Sequence, residues 1–200
     1  LAPEVVDLVE PLLGPDILLF STHFICKPKG DGRRVPWHED SAYWKKLLDP
    51  MQVATVWLAL DPSSTENGCM YVIPRSHNTG KMGFSDYEGV DTSKSVFDTE
   101  IIPTQRKDEL AVPCELRENH CSLHDARTQH GSPPNTSDKR RCGWTLRFVP
   151  ATSRLNPEYT DRQLMYLARG RNLLNQDLAD PDTDYTHVLE ERKRQGFKAH

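Results

Sequence analysis

Val35-Pro36-Trp37-His38-Glu39-Asp40 is the stretch that decides how the rest of the chain is read. Side chains alternate along an extended segment, so His38 and Asp40 are expected on one side and Glu39 on the other. A neutral imidazole and a carboxylate placed together, joined by a second histidine from elsewhere, make the facial triad that holds non-haem Fe(II). A lone His-x-Asp arises often by chance. Here it is followed, in order, by Asn67-Gly68-Cys69, by Pro74-Arg75-Ser76-His77, and by His130-Gly131-Ser132 with Arg141 beyond.

Outward from this stretch the chain alternates short strand-like runs with polar turns. Asp16 to Lys27 reads as a strand ahead of the turn cluster Lys29-Gly30-Asp31-Gly32. Met51 to Leu60 is apolar on both faces, with Val53, Thr55, Trp57 and Ala59 on one, as expected of a central strand. Cys69 to Ile73 is expected to run back beside it as a hairpin-like partner. Further short strands are expected at Glu100–Ile102, Cys114–Leu116, Cys121–His124 and Cys142–Val149. From Arg75 to about Thr99 the chain is polar and aperiodic, which predicts a long loop of the kind that lies over a site. Ahead of the strands, Val5, Leu8, Val9 and Leu12 recur at helical spacing, and Gly14-Pro15 ends that helix. After Pro150 the pattern turns helical, with Thr160 opening a helix over Asp161 to Arg169 and a charged helix or tail from Glu190. Many short strands with polar turns and flanking helices predict a mainly β barrel or jelly roll.

The 200 residues fit one domain, a β core at about 17–150 and a helical segment at about 151–200. A net charge of −4 gives no basic footprint for nucleic acid, and no apolar run approaches a membrane span. Leu1 is not an initiator methionine, so a natural beginning is expected upstream. Five cysteines without metal-site spacing are expected to be reduced, partly buried thiols of an intracellular and cytoplasmic protein. A peroxisomal or other signal ahead of Leu1 stays open, as does the oligomeric state.

Lys27-Pro28, Trp37-His38-Glu39-Asp40, Trp57-Leu58-Ala59-Leu60, Glu66-Asn67-Gly68-Cys69, Ile73-Pro74-Arg75-Ser76-His77 and His130-Gly131-Ser132 through Arg141 occur in this order. On these residues the chain resembles the phytanoyl-CoA dioxygenase family of Fe(II)- and 2-oxoglutarate-dependent oxygenases. The resemblance covers residues 17–150 and implies a double-stranded β-helix, a cupin-like jelly roll with the metal at its mouth. It implies iron on His38, Asp40 and His130, with 2-oxoglutarate and O₂ in the open positions. It further implies oxidative decarboxylation of 2-oxoglutarate to succinate and CO₂, coupled to oxidation of an unactivated C–H bond of a small organic substrate. Hydroxylation is the default outcome.

His124 is the rival to His130 as distal ligand, although the His-Gly-Ser motif stands only at His130. The far carboxylate of 2-oxoglutarate calls for a cation, and the planar fork of an arginine suits it. Arg140, Arg141 and Arg147 are the candidates. Arg140 has the wrong strand parity, and Arg147 lies about 20 Å further along an extended chain. Arg141 has the right parity and stands where the family keeps this residue. Ser132 can add a hydroxyl donor, while Thr55 and Trp57 share a strand face suited to a pocket wall. The family alignment also brings His23 beside the cosubstrate. Two other classes remain in view: a non-catalytic binding or partner subunit of the same fold, and a Zn²⁺ hydrolase, for which Arg141 has no use.

Overall fold

Two long antiparallel strands, Ile17–Lys27 and Arg141–Pro150, set the frame, and both are rich in β-branched, aromatic and other apolar residues. The computed structural model describes residues 2–78, 85–160, 163–180 and Arg194. Helix α1 (Pro3–Leu13) leads into β1 (Ile17–Lys27) and β2 (Val35–His38), and a single helical turn, α2 (Ser41–Trp44), follows. Next come β3 (Leu48–Asp49), β4 (Ala54–Ala59), β5 (Tyr71–Val72), β6 (Tyr87–Gly89), β7 (Thr99–Ile101) and β8 (Val112–Pro113). The series ends with β9 (Cys121–Asp125), β10 (His130–Ser132), β11 (Arg141–Pro150), β12 (Arg154–Leu155) and β13 (Tyr166–Arg169). The larger sheet has the order β13-β1-β11-β4-β9 and the smaller one β2-β10-β5-β8. Every strand pair in both is antiparallel. This is the expected jelly roll.

The larger sheet is apolar on its outer face, where Ala54, Val56, Leu146 and Phe148 pack against Val6, Val9 and Leu13 of α1. Its other face is apolar at one end, where Leu18, Val53, Val149 and Met165 cluster. Toward the other end that face turns polar, carrying His23, Thr145, Arg147, Thr55 and His124 in paired register. A β-bulge between Leu19 and Ser21 brings His23, Ile25 and Lys27 onto this polar face. Polar side chains in a row on an inward face mark where a core gives way to a site.

Several expectations need correction. The helix expected over Asp161 to Arg169 is not found at 163–169, the part the structure describes: Tyr166–Arg169 is a strand on the free edge of β1, with Leu18 opposite Leu167. Leu164, Leu167 and Ala168 fit a helical spacing locally, but the unpaired backbone edge of β1 outweighs that pattern. No helix longer than a turn is present among the described residues after Pro150, and the charged end from Glu190 lies outside them apart from Arg194. In α1 the buried face is Val6, Val9 and Leu13, while Leu8 and Leu12 are exposed. β5 pairs with β10 and β8, not with β4. The stretch from Arg75 to Thr99 is no bare loop. Tyr87–Gly89 pairs with Thr99–Ile101, and Val96 donates a backbone hydrogen bond to Arg34. Residues 79–84 lie outside the description. Cys26 and Cys142 face each other across β1 and β11 and are joined as a disulfide, so not all five cysteines are thiols. No helix among the described residues is long and apolar enough to cross a membrane.

Candidate active site

β2 and β10 are neighbours in the smaller sheet, and their register places His130 directly opposite His38. Their rings stand 4.1 Å apart between centroids. Asp40 is not on the strand: its backbone is already helical, and it opens α2. The strand ends at His38, and the chain turns so that Asp40 still meets both histidines. One ligand atom from each of His38, Asp40 and His130 lies within 4.8 Å of the others, and all three residues are buried. Glu39 points the other way, as alternation predicts, and its carboxylate accepts from the backbone and hydroxyl of Ser85.

The hydrogen bonds fix which atoms are free. His38 Nδ1 is 2.8 Å from the Pro36 carbonyl, and His130 Nδ1 is 2.9 Å from the Thr128 carbonyl. A carbonyl only accepts, so both Nδ1 atoms carry protons and both Nε2 lone pairs are free to bind a metal. Arg147 Nε donates to Asp40 Oδ2 at 3.2 Å, leaving Oδ1 facing His38 Nε2 at 3.9 Å. Burial and the neighbouring His130 push the His38 imidazole down to about 3, so it stays neutral. Burial alone would raise the Asp40 carboxyl, but Arg147 and the histidines outweigh it and hold it well below the usual range. Two imidazoles and one carboxylate, converging and oriented from behind, fit a divalent iron site.

Arg147 is the residue that sequence reasoning passed over. It was set aside for distance from the far carboxylate, and it serves the Asp40 carboxylate instead. Its guanidinium also donates to His23 Nδ1 at 2.9 Å and to Thr145 Oγ1 at 3.1 Å, and it lies over the Trp44 ring. His23 must therefore accept at Nδ1 and carry its proton on Nε2. The available signal was strand parity, which puts Arg147 on the same face as Arg141.

A cavity of about 750 Å³ opens beside the cluster, lined by His23, Trp57, Ser132 and Arg141 among others. Arg141 is 2 % exposed, and its Nε and Nη2 have no partner. It lies over the Trp57 ring, and burial lowers its guanidinium to about 10. Arg140 faces outward and pairs with Asp61, as parity requires. Thr55 is fully buried with its hydroxyl unpartnered, and it does not line the cavity. His124 packs with its ring 4.9 Å from that of His130, and neither of its nitrogens has a partner. It stands outside the converging cluster. Val96 and Phe97 line the mouth, Phe97 edge-on to His38.

The phytanoyl-CoA dioxygenase family model matches residues 1–143, which include all three converging residues and Arg141. A probable alpha-ketoglutarate-dependent hypophosphite dioxygenase of Stutzerimonas stutzeri is 34 % identical over 69 % of this chain and 47 % of its own length. The chain spans about half the length of the first curated relatives it matches. Among solved structures, the non-heme monooxygenase ThoJ superposes with a TM-score of 0.75, at 26 % identity, over 96 % of this chain and 68 % of that one. EvdO2 from Micromonospora carbonacea var. aurantiaca, complexed with 2-oxoglutarate, gives a TM-score of 0.56 at 27 % identity, over 70 % of this chain and 54 % of that one. These relatives, together with the His-Asp-His cluster, support Fe(II), 2-oxoglutarate and O₂ as the cofactor set. The fold, the convergent triad and the family match agree, and the chain belongs to the phytanoyl-CoA dioxygenase family.

Proposed function

We propose that this chain carries the catalytic centre of an Fe(II)- and 2-oxoglutarate-dependent dioxygenase that oxidises a C–H bond of a small organic molecule. The observation that carries the reading is the orientation of His38, Asp40 and His130. Each imidazole is held by a carbonyl on Nδ1 and the carboxylate by Arg147, so that three donors converge on one point. Bound iron and 2-oxoglutarate supply the oxidising power, by decarboxylating the keto acid with O₂ to give succinate and CO₂.

The chain's own residues bind, orient and exclude. His38 and His130 contribute Nε2, and Asp40 contributes Oδ1. Arg141 receives the far carboxylate: a buried guanidinium with two nitrogens unpartnered among the described residues is an unmet demand for an anion. Ser132 lines the same wall, and Trp57 gives Arg141 a flat surface to lie on. His23, fixed by Arg147, presents its Nε2 proton as a donor. Thr55 serves the wall from behind, opposite His124 and Arg147 in the sheet. The substrate side is apolar, with Tyr43, Val96 and Phe97 among its lining. These side chains suit a molecule that presents hydrocarbon to the metal, and they keep water from the reacting C–H.

The test is turnover of 2-oxoglutarate. Protein supplied with Fe(II), ascorbate and 2-oxoglutarate is expected to release succinate slowly without substrate and faster with one. His38→Ala and Asp40→Ala are expected to abolish release. Full activity in Asp40→Ala, or no succinate from the unaltered chain, would sink the reading.

A further inference from the structure

Lys27 ends β1, and its register partner on β11 is Arg141. The bulge earlier in β1 gives it the same inward face as His23 and Ile25. Only 3 % of it is exposed, against 2 % for Arg141, and both line the cavity. Two cations thus stand side by side in the interior. Among the described residues neither has a carboxylate partner. Lys27 Nζ donates to the carbonyls of Ser132 and Pro133 at the end of β10, and Arg141 Nε and Nη2 stay unpartnered among the described residues. The surroundings close tightly: a side chain at Gly32 would lie 2.8 Å from Lys27 Cβ and 2.7 Å from Asn135 Cβ. Desolvating an ion is costly, and desolvating two of like sign side by side costs more. An arrangement of this kind is stable when an anion joins it.

Resting on the cosubstrate reading above, we propose that Lys27 and Arg141 form a two-cation seat for the far carboxylate of 2-oxoglutarate, with Lys27 a specificity-determining residue for dicarboxylates. Ser132 and Pro133 hold the ammonium through their carbonyls, and Arg141 offers its fork to the same anion. The groups facing Lys27 are few. From β11 there is Arg141, which lowers its proton affinity; from the turn after residue 68 there is the Cys69 thiol, which raises it slightly. Burial is the largest influence, and the ammonium is brought down to about 7. The Cys69 thiol is itself pushed up to about 11, chiefly by burial, and stays neutral. In the empty seat Lys27 therefore loses its proton as the pH rises through neutrality. An arriving carboxylate favours the charged form and draws a proton in with it.

Isothermal titration of 2-oxoglutarate into anaerobic Fe(II)-loaded protein tests this, run at pH 6.5, 7.5 and 8.5 in a sulfonate buffer (PIPES or HEPES) and in an amine buffer (bis-Tris or Tris). The two buffers differ in ionisation enthalpy and so report proton uptake. Uptake is expected to approach one proton per cosubstrate at pH 8.5, with Kd rising up to tenfold per pH unit above about 7. Lys27→Met is expected to abolish the uptake and weaken binding roughly 10- to 100-fold at pH 6.5. Lys27→Arg is expected to restore affinity with no proton uptake, since a guanidinium stays charged. 2-Oxobutyrate, a keto acid with no far carboxylate, is expected to bind the unaltered protein and Lys27→Met equally. 2-Oxoglutarate binding as tight in Lys27→Met as in the unaltered protein at pH 6.5, or uptake that persists in Lys27→Met, overturns the seat while leaving the cosubstrate reading intact. Failure of the unaltered Fe(II) protein to bind 2-oxoglutarate at all overturns both.

Discussion

Arg147 shows how one side chain can set the state of a metal site without being one of its ligands. It holds Asp40 Oδ2 at 3.2 Å and His23 Nδ1 at 2.9 Å, and so decides which oxygen and which tautomer face the cavity. Outer partners of metal ligands are typically worth 10- to 100-fold in metal affinity. Arg147→Leu is therefore expected to weaken Fe(II) or Mn(II) binding by roughly that factor, with Arg147→Lys intermediate; unchanged affinity in Arg147→Leu would show that Asp40 orients itself. Arg141→Gln is expected to act elsewhere, leaving metal affinity intact and raising the KM for 2-oxoglutarate roughly 30- to 1000-fold. An equal rise in Arg140→Gln, whose side chain pairs outward with Asp61, would contradict the strand register. The convergence of His38, Asp40 and His130 and the placing of Arg141 beside them could be anticipated because each sits in a short recognisable motif. Arg147 could not, because its partner Asp40 lies 107 residues away and only the folded register brings them together. Lys27 carried no more than a motif match in the sequence, since burial of a lysine is invisible until its surroundings are known.

The strands of the larger sheet were read correctly wherever alternation ran long enough to decide. Arg141–Pro150 alternates over ten residues, and both faces of Ala54–Ala59 are buried in its interior. Errors fell where a short pattern met a strong tertiary demand. The edge of β1 recruited Tyr166–Arg169, and the smaller sheet recruited Tyr71–Val72. The face of α1 came out one residue away because Val6, Val9 and Leu13 fit the sheet beneath it as well as the expected set. Close fit between elements is most exacting at Gly143 of β11. A Cβ there would lie 2.1 Å from the Trp57 ring on β4, so the absent side chain is what lets Trp57 lie flat beneath Arg141. Gly143→Ala is expected to push the indole aside, at a cost of about 1–3 kcal/mol in urea-unfolding stability. A shift of tryptophan emission and weaker 2-oxoglutarate binding should accompany it. An alanine variant with unaltered emission, stability and binding would mean the ring has room that the packing denies.

At the scale of the whole molecule, the site is held by burying groups that must keep one charge state. His38 and His124 are both pushed down to about 3, chiefly by burial and then by the neighbouring His130. An unfolded histidine titrates near 6.5, so below that pH the unfolded chain takes up protons that the folded metal-free protein refuses. Folded-state proton affinity is lowered for both groups, so the stability they contribute is present above about 6.5 and is lost as the pH falls toward 3. Carboxylates act in the same direction but lower down. The Asp40 carboxyl is held below its usual range, against burial, by Arg147 and the histidines, and Glu100 is lowered by Arg34 and the Trp37 backbone N–H. Both lose stability only as the pH drops through about 4 and beyond. Between pH 6 and 4.5 these buried histidines dominate, each contributing a slope of up to about 1.4 kcal/mol per pH unit, and His23, lowered by burial and by Arg147, adds in the same direction. Urea unfolding of metal-free protein from pH 7.5 to 4.5 is expected to show a flat region above 6.5 and a steep loss below it. His124→Phe removes one of these groups while sparing His38, Asp40 and His130, and it is expected to reduce that slope by a third to a half while preserving metal binding. An unaltered slope in His124→Phe would place the acid sensitivity elsewhere, and loss of metal binding would make His124 a ligand after all.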